Sequence, residues 1–493
     1  MVGLGTLTPP RRLTVRTLFI FVAISLAALL FLAIVWAGLA AAILALGLLV
    51  GATYLAWRSP IKTAVFFAAF LPVNRFVILL IFHLTGSGAL TKLTQLWKDG
   101  LIVLLLVRVI YDAAFNTKAK RVKYLDLLIL FFIAFSFIYI FYPGPDDPMV
   151  RVQGFRSDAF FLVAYFVGRG LKLGRKHVRW LLAAIIPGSV AVAVVAALQF
   201  AMPSFSNFLL DGLGFKEFTM LQGGLGDIEP VRDRVLGGTN IPRASSLLLG
   251  DLALAFYEVL LVSLAAAMFF EAKTEKRRLL SGLFLLAMVG TLGLTITRSA
   301  ILAMIPVVLL AGLISRSLPK VITVGVVCIS LGLAALLVSG IQPRSLQQLF
   351  NPNESSTVAH ENAFFRSLDI IKEEPLGRGL GTAGTIGQRF FSQSITNESW
   401  YLQLGTEMGV VSPLTYLTMT VVVAVTCFAA YRRLQDTSLR ILALGVASTS
   451  VGFLVVANFL HAWENTALSM LIWLYAGIAV RAGDIDRSEA AAK

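Results

Sequence analysis

The chain has 493 residues, of which 57% are hydrophobic and only 14% charged, with a mean hydropathy of +0.82. That balance excludes an ordinary soluble domain. The net charge of +15 does not point to nucleic acid, because the cations stand at the ends of apolar runs, where they orient helices and meet anionic headgroups.

A membrane-spanning helix needs about 20 predominantly apolar residues. Such runs fall near 17–35, 38–57, 61–82, 100–115, 125–142, 155–169, 178–202, 244–270, 279–296, 299–315, 321–341, 408–431, 440–459 and 464–480. The expected fold is therefore an all-α polytopic transmembrane bundle of about 12–14 spans. The first run follows Arg11, Arg12 and Arg16, as in a signal peptide. No small-residue cleavage site ends it and more spans follow at once, so an uncleaved first helix is expected.

Every second gap between runs is basic. The series includes Arg58 and Lys62, then Lys118 to Lys123, Lys172 to Arg179, Lys273 to Arg278, Arg316 and Lys320, Arg432 to Arg440, and Arg481. This alternation predicts that the basic gaps and both termini are cytoplasmic. Residues 1–481 then form one transmembrane domain, and 482–493 a polar cytoplasmic tail expected to be unstructured. The opposite, external face carries two long loops, about 203–243 and 342–407, and the shorter Tyr142–Arg151 loop. Binding and catalysis are expected on these loops.

Within the larger loop, Phe364, Phe365, Leu368 and Ile371 fall on one helical face, and Pro375 ends the helix before Gly377, Gly379 and Gly381. Two readings stay open: an amphipathic helix on the membrane surface, or a lid over a lipid-linked substrate. The glycine run is not a dinucleotide fingerprint, since no strand precedes it.

Arginines on the external face run against the orientation rule. Arg243, Arg298, Arg151, Arg156 and Arg366 each suit a boundary anchor; several on one face suit an anion, which a guanidinium binds bidentately. The candidate base is Glu398, in Thr396-Asn397-Glu398-Ser399-Trp400-Tyr401. Trp400 and Tyr401 are either interfacial aromatics or stacking platforms for sugar rings. His461 and Glu464 lie in an external turn that is either interfacial or part of a glycan site. Cys328 and Cys427 both fall inside spans, and no histidine pair has the spacing of a metal site. Asp146-Asp147 and Asp227 with Glu229 are weak candidates for a divalent ion.

Three segments together resemble the O-antigen ligase and O-antigen polymerase superfamily of bacterial envelope glycosyltransferases. They are Arg243-Ala-Ser-Ser-Leu running to Gly250-Asp251; Thr297-Arg298-Ser299-Ala300; and Arg366 through Pro375-Leu-Gly-Arg-Gly-Leu-Gly381 to Glu398-Ser-Trp-Tyr-Leu-Gln. Trp97-Lys98-Asp99 is similar to polysaccharide-polymerase members. The resemblance implies a type C glycosyltransferase-like fold in the bacterial inner membrane. It also implies an inverting transfer of glycan from a polyprenyl pyrophosphate carrier to an acceptor glycan or lipid outside that membrane. Arg243 and Arg298, helped by Arg366, would hold the pyrophosphate; Glu398 would take the acceptor proton; no metal or other cofactor would be needed. Chain-length regulators and export proteins are the implied partners. Ligases place His and Asn where Glu398 and Ser399 stand, which favours a polymerase over a ligase. A polysaccharide or lipid flippase is the alternative from another class, though it would more often carry its ionisable groups at mid-membrane.

Overall fold

Apolar runs of membrane length fold as helices because each backbone polar group is then satisfied within its own segment. The computed structural model describes residues 39–115, 122–221, 233–236, 239–326, 355–391 and 398–490. In chain order its first helices are α1 (Leu39–Arg58), α2 (Pro60–Phe70), α3 (Asn74–Thr85), α4 (Gly88–Gln95), α5 (Trp97–Phe115) and α6 (Tyr124–Ile138). Next come α7 (Pro148–Asp158), α8 (Val163–Gly170), α9 (Arg175–Ala201), α10 (Pro203–Asn207) and α11 (Phe215–Leu221). A short antiparallel hairpin joins β1 (Asp233–Leu236) to β2 (Thr239–Pro242). After it run α12 (Asp251–Phe270), α13 (Glu275–Leu294), α14 (Arg298–Ile314), α15 (Ser355–Glu373) and α16 (Gly384–Phe390). The chain continues through α17 (Trp400–Met408), α18 (Val411–Tyr431), α19 (Thr437–Val456), α20 (Thr466–Val480) and α21 (Ala482–Ala490).

Among the described residues, six stretches are long and apolar enough to cross a membrane: α2 with α3 (Pro60–Thr85), α9, α12, α13, α18 and α19. A seventh arises if α20 and α21, bent by 44°, count as one span. This is consistent with a multi-pass membrane protein. The expected first span, 17–35, most of 321–341, and the loop acids Asp227 and Glu229 lie outside the described residues. The expected span 155–169 is not one helix. It breaks at Ala159, where φ is −135°, and Asp158 turns inward at the break.

Helices α12 and α19 are the most enclosed of the six. They approach closely at Gly452, where a Cβ would meet Val259 Cγ1 at 2.7 Å. At the crossing of α8 and α20, Gly168 lies on the Leu474 carbonyl and Gly477 on the Tyr165 carbonyl, so the two backbones touch, as small residues allow between membrane helices. Beside that crossing sits an aromatic core of Phe161, Trp400, Tyr416, Phe453, Trp463 and Trp473. It fixes the turn that joins α19 to α20.

Two expectations change. The tail is not unstructured: α21 docks through Asp486, whose Oδ1 lies 2.6 Å from Arg175 Nη2, while Glu489 Oε1 accepts from the Arg175 amide. The loop helix forms as α15, and only part of its expected apolar face packs against the protein. Ser367 and Ile370 are buried and Ile371 abuts Gly405 of α17, whereas Phe364 and Phe365 stay exposed.

Candidate functional site

A cavity of about 310 Å³ opens between α3, α5, α7, α12, α16 and the turn before α20. One wall is apolar, with Ile78, Phe218, Leu252, Phe256 and Leu468. The other carries four cations, Arg75, Lys98, Arg156 and Arg389, with Glu464 and His461 beside them.

Each side chain is placed by a local device. Arg75 opens α3, directly after the 3₁₀ turn Leu71–Val73. Lys98 opens α5, and Arg156 lies in the last turn of α7. Asp99 serves both of them: Arg156 donates to its Oδ2 from Nη2 at 2.6 Å and from Nε at 2.9 Å, and Lys98 Nζ lies 3.4 Å from its Oδ1. His461 and Glu464 flank the buried Trp463, whose ring packs 4.5 Å from that of Phe453. Asn465 then caps α20 by accepting from the Leu468 amide.

Arg389 arrives by the glycine-rich turn. Tyr139 donates to the Leu376 carbonyl, and the amides of Arg378 and Gly379 donate to the carbonyls of Thr406 and Glu407. The turn thus threads between α7 and α17. At Gly381 (φ +78°) a Cβ would meet the Val150 carbonyl oxygen at 2.7 Å, and at Gly384 (φ +62°) it would strike Glu464 Oε1 and Gln403. Positive φ and close approach together call for glycine. Gly384→Ala should therefore displace Glu464 and α16 together. We expect a large loss of activity with the bundle still helical, read by an activity assay beside circular dichroism.

Beneath the turn lies a buried acidic chain. Glu464 Oε1 accepts from Gln403 Nε2 at 2.7 Å and from the Thr385 amide at 3.1 Å; among the described residues its Oε2 receives only the amide, at 3.3 Å. The same Gln403 Nε2 lies 3.3 Å from Asp158 Oδ1, and Asp158 feels the Glu407 carboxylate as a like charge. Glu407 Oε1 accepts from the Ala383 amide at 2.9 Å. Burial pushes the Glu407 carboxyl up to about 7, against the lowering effect of its hydrogen bonds. Such a group binds its proton more tightly when folded than when unfolded. The stability it confers is full at low pH and is lost as pH rises from about 4.5 through about 7. The thermal midpoint should fall over that window, and Glu407→Gln, which keeps the hydrogen bonds without the charge, should flatten the profile.

Of the sequence-derived candidates, the cavity brings together Arg156 and His461; the buried His461 Nδ1 has no hydrogen-bond partner among the described residues. Arg243, Arg298, Arg366, Arg151, Glu398, Trp400 and Tyr401 are not in its lining. Arg243 donates to the Thr295 carbonyl at 2.9 Å and to Thr297 Oγ1 at 3.2 Å, and pairs with Asp251. Arg298 begins α14 one residue beyond Thr297. Arg151 donates to the carbonyls of Ile140 and Tyr142, tying down the loop between α6 and α7. Arg366 is exposed on α15, and Glu398 is half-buried just before α17. Tyr401 is half-buried beside it. Trp400 is fully buried against Phe161 and Tyr416, which leaves no ring face for a sugar.

Sequence reasoning passed over Arg75 and Arg389, gave Lys98 no assigned role, and placed Glu464 only in a turn that is either interfacial or part of a glycan site. A signal existed for Arg75: it is a cation deep inside the apolar run 61–82, far from Lys62 at the start of that run, and such residues usually face a polar cavity. Among the described residues, no three His, Cys, Asp or Glu side chains group as metal ligands. Set beside known proteins, the chain matches no family model and no curated protein.

Proposed function

We propose that the protein is a membrane glycosyltransferase of the polysaccharide-polymerase kind. It would use a polyprenyl-pyrophosphate-linked oligosaccharide as donor at the outer face of a bacterial inner membrane, with both its termini in the cytoplasm. One observation carries this reading. A single cavity sets four cations and one carboxylate against an apolar wall, which matches a donor with an anionic head and a hydrocarbon tail. The resemblance of the segments around Arg243, Arg298 and Arg366–Gln403 to the O-antigen superfamily supports the reaction class, which architecture alone does not supply.

In this reading the cations hold the pyrophosphate and stabilise the charge that grows on it. Glu464, the carboxylate of the lining, takes the proton of the acceptor hydroxyl at Oε2, whose partner is the more distant. The freed oxygen attacks the anomeric carbon, the bond from that carbon to the phosphate oxygen breaks, and polyprenyl pyrophosphate leaves. Attack from the opposite side inverts the anomeric centre. Glu398, the base favoured by the sequence resemblance, is the competing assignment.

A second reading has its own observation. Glu258, in the middle of α12, is fully buried, and neither carboxyl oxygen has a hydrogen-bond partner among the described residues. Ionisable groups of that kind mark proton-coupled transport. Incubating the purified protein with lipid-linked oligosaccharide and analysing chain length separates the possibilities. A ladder supports the polymerase, and a single transfer to a lipid acceptor supports a ligase. Movement of unchanged donor across liposomes would replace both with a flippase.

A further inference from the structure

The four cavity cations are not equivalent. Lys98 and Arg156 share Asp99. Elsewhere Arg169 pairs with Asp126, Arg175 with Asp486, Arg243 with Asp251 and Arg440 with Glu271. Arg75 and Arg389 have no ion pair and no side-chain hydrogen bond among the described residues. Arg75 makes only a distant contact with the Phe215 ring, 6.0 Å from its centroid. Arg389 feels Glu464 as an attraction short of an ion pair and Arg156 as a repulsion, and the two unpaired arginines repel each other. Burial also pulls the Arg389 guanidinium below its ordinary pKa.

Two guanidinium groups that face one cavity with no ion pair of their own, and with Glu464 the one carboxylate among four cations in its lining, destabilise it when it is empty. Each has five donors in a planar fork that fits phosphate oxygens. An anion with oxygens on two sides removes the repulsion and fills both forks. Phe218, Leu252 and Phe256 line the same space, so the anion can carry an apolar substituent.

We propose that Arg75 and Arg389 form a two-sided clamp for a phosphate or pyrophosphate group, and that this clamp, rather than Arg243 and Arg298, is where the anion binds. The assignment of pyrophosphate as the group rests on the functional reading above; the demand for an anion rests on two arginines without ion pairs, among the described residues, lining one cavity. Thr385 and Glu464 set the position of Arg389, since Glu464 accepts from the Thr385 amide one helical turn before Arg389. Gly250 lies beside Arg75: a Cβ there would make ordinary contact with Arg75 Nη1, at 3.7 Å.

The test uses the whole protein in lipid nanodiscs. Inorganic pyrophosphate is titrated in one arm and a polyprenyl pyrophosphate in the other, against wild type, Arg75→Gln, Arg389→Gln and the surface control Lys372→Gln. Each clamp variant should weaken binding by about 10- to 100-fold, the usual worth of a hydrogen-bonded charge. The ligand-free thermal midpoint of both should match or exceed that of wild type, because a repulsion has been removed. Loss in both arms assigns the clamp to the free anion and the lipid head alike; loss only with the polyprenyl compound assigns it to the lipid head. In the wild type, pyrophosphate should also shield Arg75 and Arg389 from phenylglyoxal, read by mass spectrometry, which does not depend on a variant folding. Unchanged affinity in both variants, or equal phenylglyoxal modification with and without pyrophosphate, overturns the proposal. A wild type that transfers glycan while its clamp variants bind normally sinks the clamp and leaves the transferase. A clamp that binds pyrophosphate in a protein that transfers nothing does the reverse.

Discussion

Glu464→Gln should lower glycan transfer by about 10²–10⁴-fold, the usual worth of a positioned general base, with donor binding nearly intact. Glutamine keeps one oxygen to accept from the Thr385 amide, so α16 and its Arg389 stay in place. What disappears is the proton acceptor at the cavity wall. Glu398→Gln is the informative companion. Glu398 lies before α17 and outside the cavity lining, so its variant should retain near-normal turnover. The sequence resemblance expects the opposite ranking. Single-turnover rates for the two variants, with donor affinity measured separately, decide between the assignments. A severe loss in Glu398→Gln beside a mild one in Glu464→Gln would return the base to Glu398.

Arg243→Ala should damage stability first and activity as a consequence. The substitution strips Asp251 of its ion-pair partner and leaves the Thr295 carbonyl without its donor. Breaking an enclosed pair by removing one partner costs about 3–5 kcal/mol. Lysine should recover only part of this, because an ammonium cannot donate to Thr295, Thr297 and Asp251 from one planar fork. Thermal melting of the purified variants reads the effect. If Arg243 instead served only the anion, its alanine variant would melt like wild type and simply fail to transfer.

Among the described residues, several of the expected apolar runs fold as helices, the run 155–169 excepted. The runs at 178–202 and 440–459 became Arg175–Ala201 and Thr437–Val456, within a few residues at either end. The sequence was less informative where tertiary contacts decide. The break at Ala159 follows from Asp158 joining Gln403 and Glu407, partners far along the chain, and hydropathy has no access to that. The docking of α21 likewise depends on Arg175 meeting Asp486. Trp400 reads locally as an interfacial aromatic, yet Phe161 and Tyr416 enclose it from other segments.

The site was legible only in part, for the same reason. Arg156 and His461 stood out because they lie at run boundaries on the expected external face. Arg75 was hidden inside an apolar run, and Arg389 in a loop whose glycines looked like mere flexibility. The role proposed for them comes from the fold, which passes the glycine turn between α7 and α17 and leaves these two cations facing one cavity with no ion pair among the described residues. An arginine lacking a partner is a property of the neighbourhood, and a linear reading does not contain it.

The central claim is that this cavity transfers a glycan from a polyprenyl pyrophosphate carrier. The most direct measurement is to give the purified wild-type protein a lipid-linked oligosaccharide and count, by mass spectrometry, the free carrier against the new glycosidic bonds. The account predicts release of one polyprenyl pyrophosphate for each bond formed. Intact donor and no free carrier, with the protein folded and the donor bound, would contradict it.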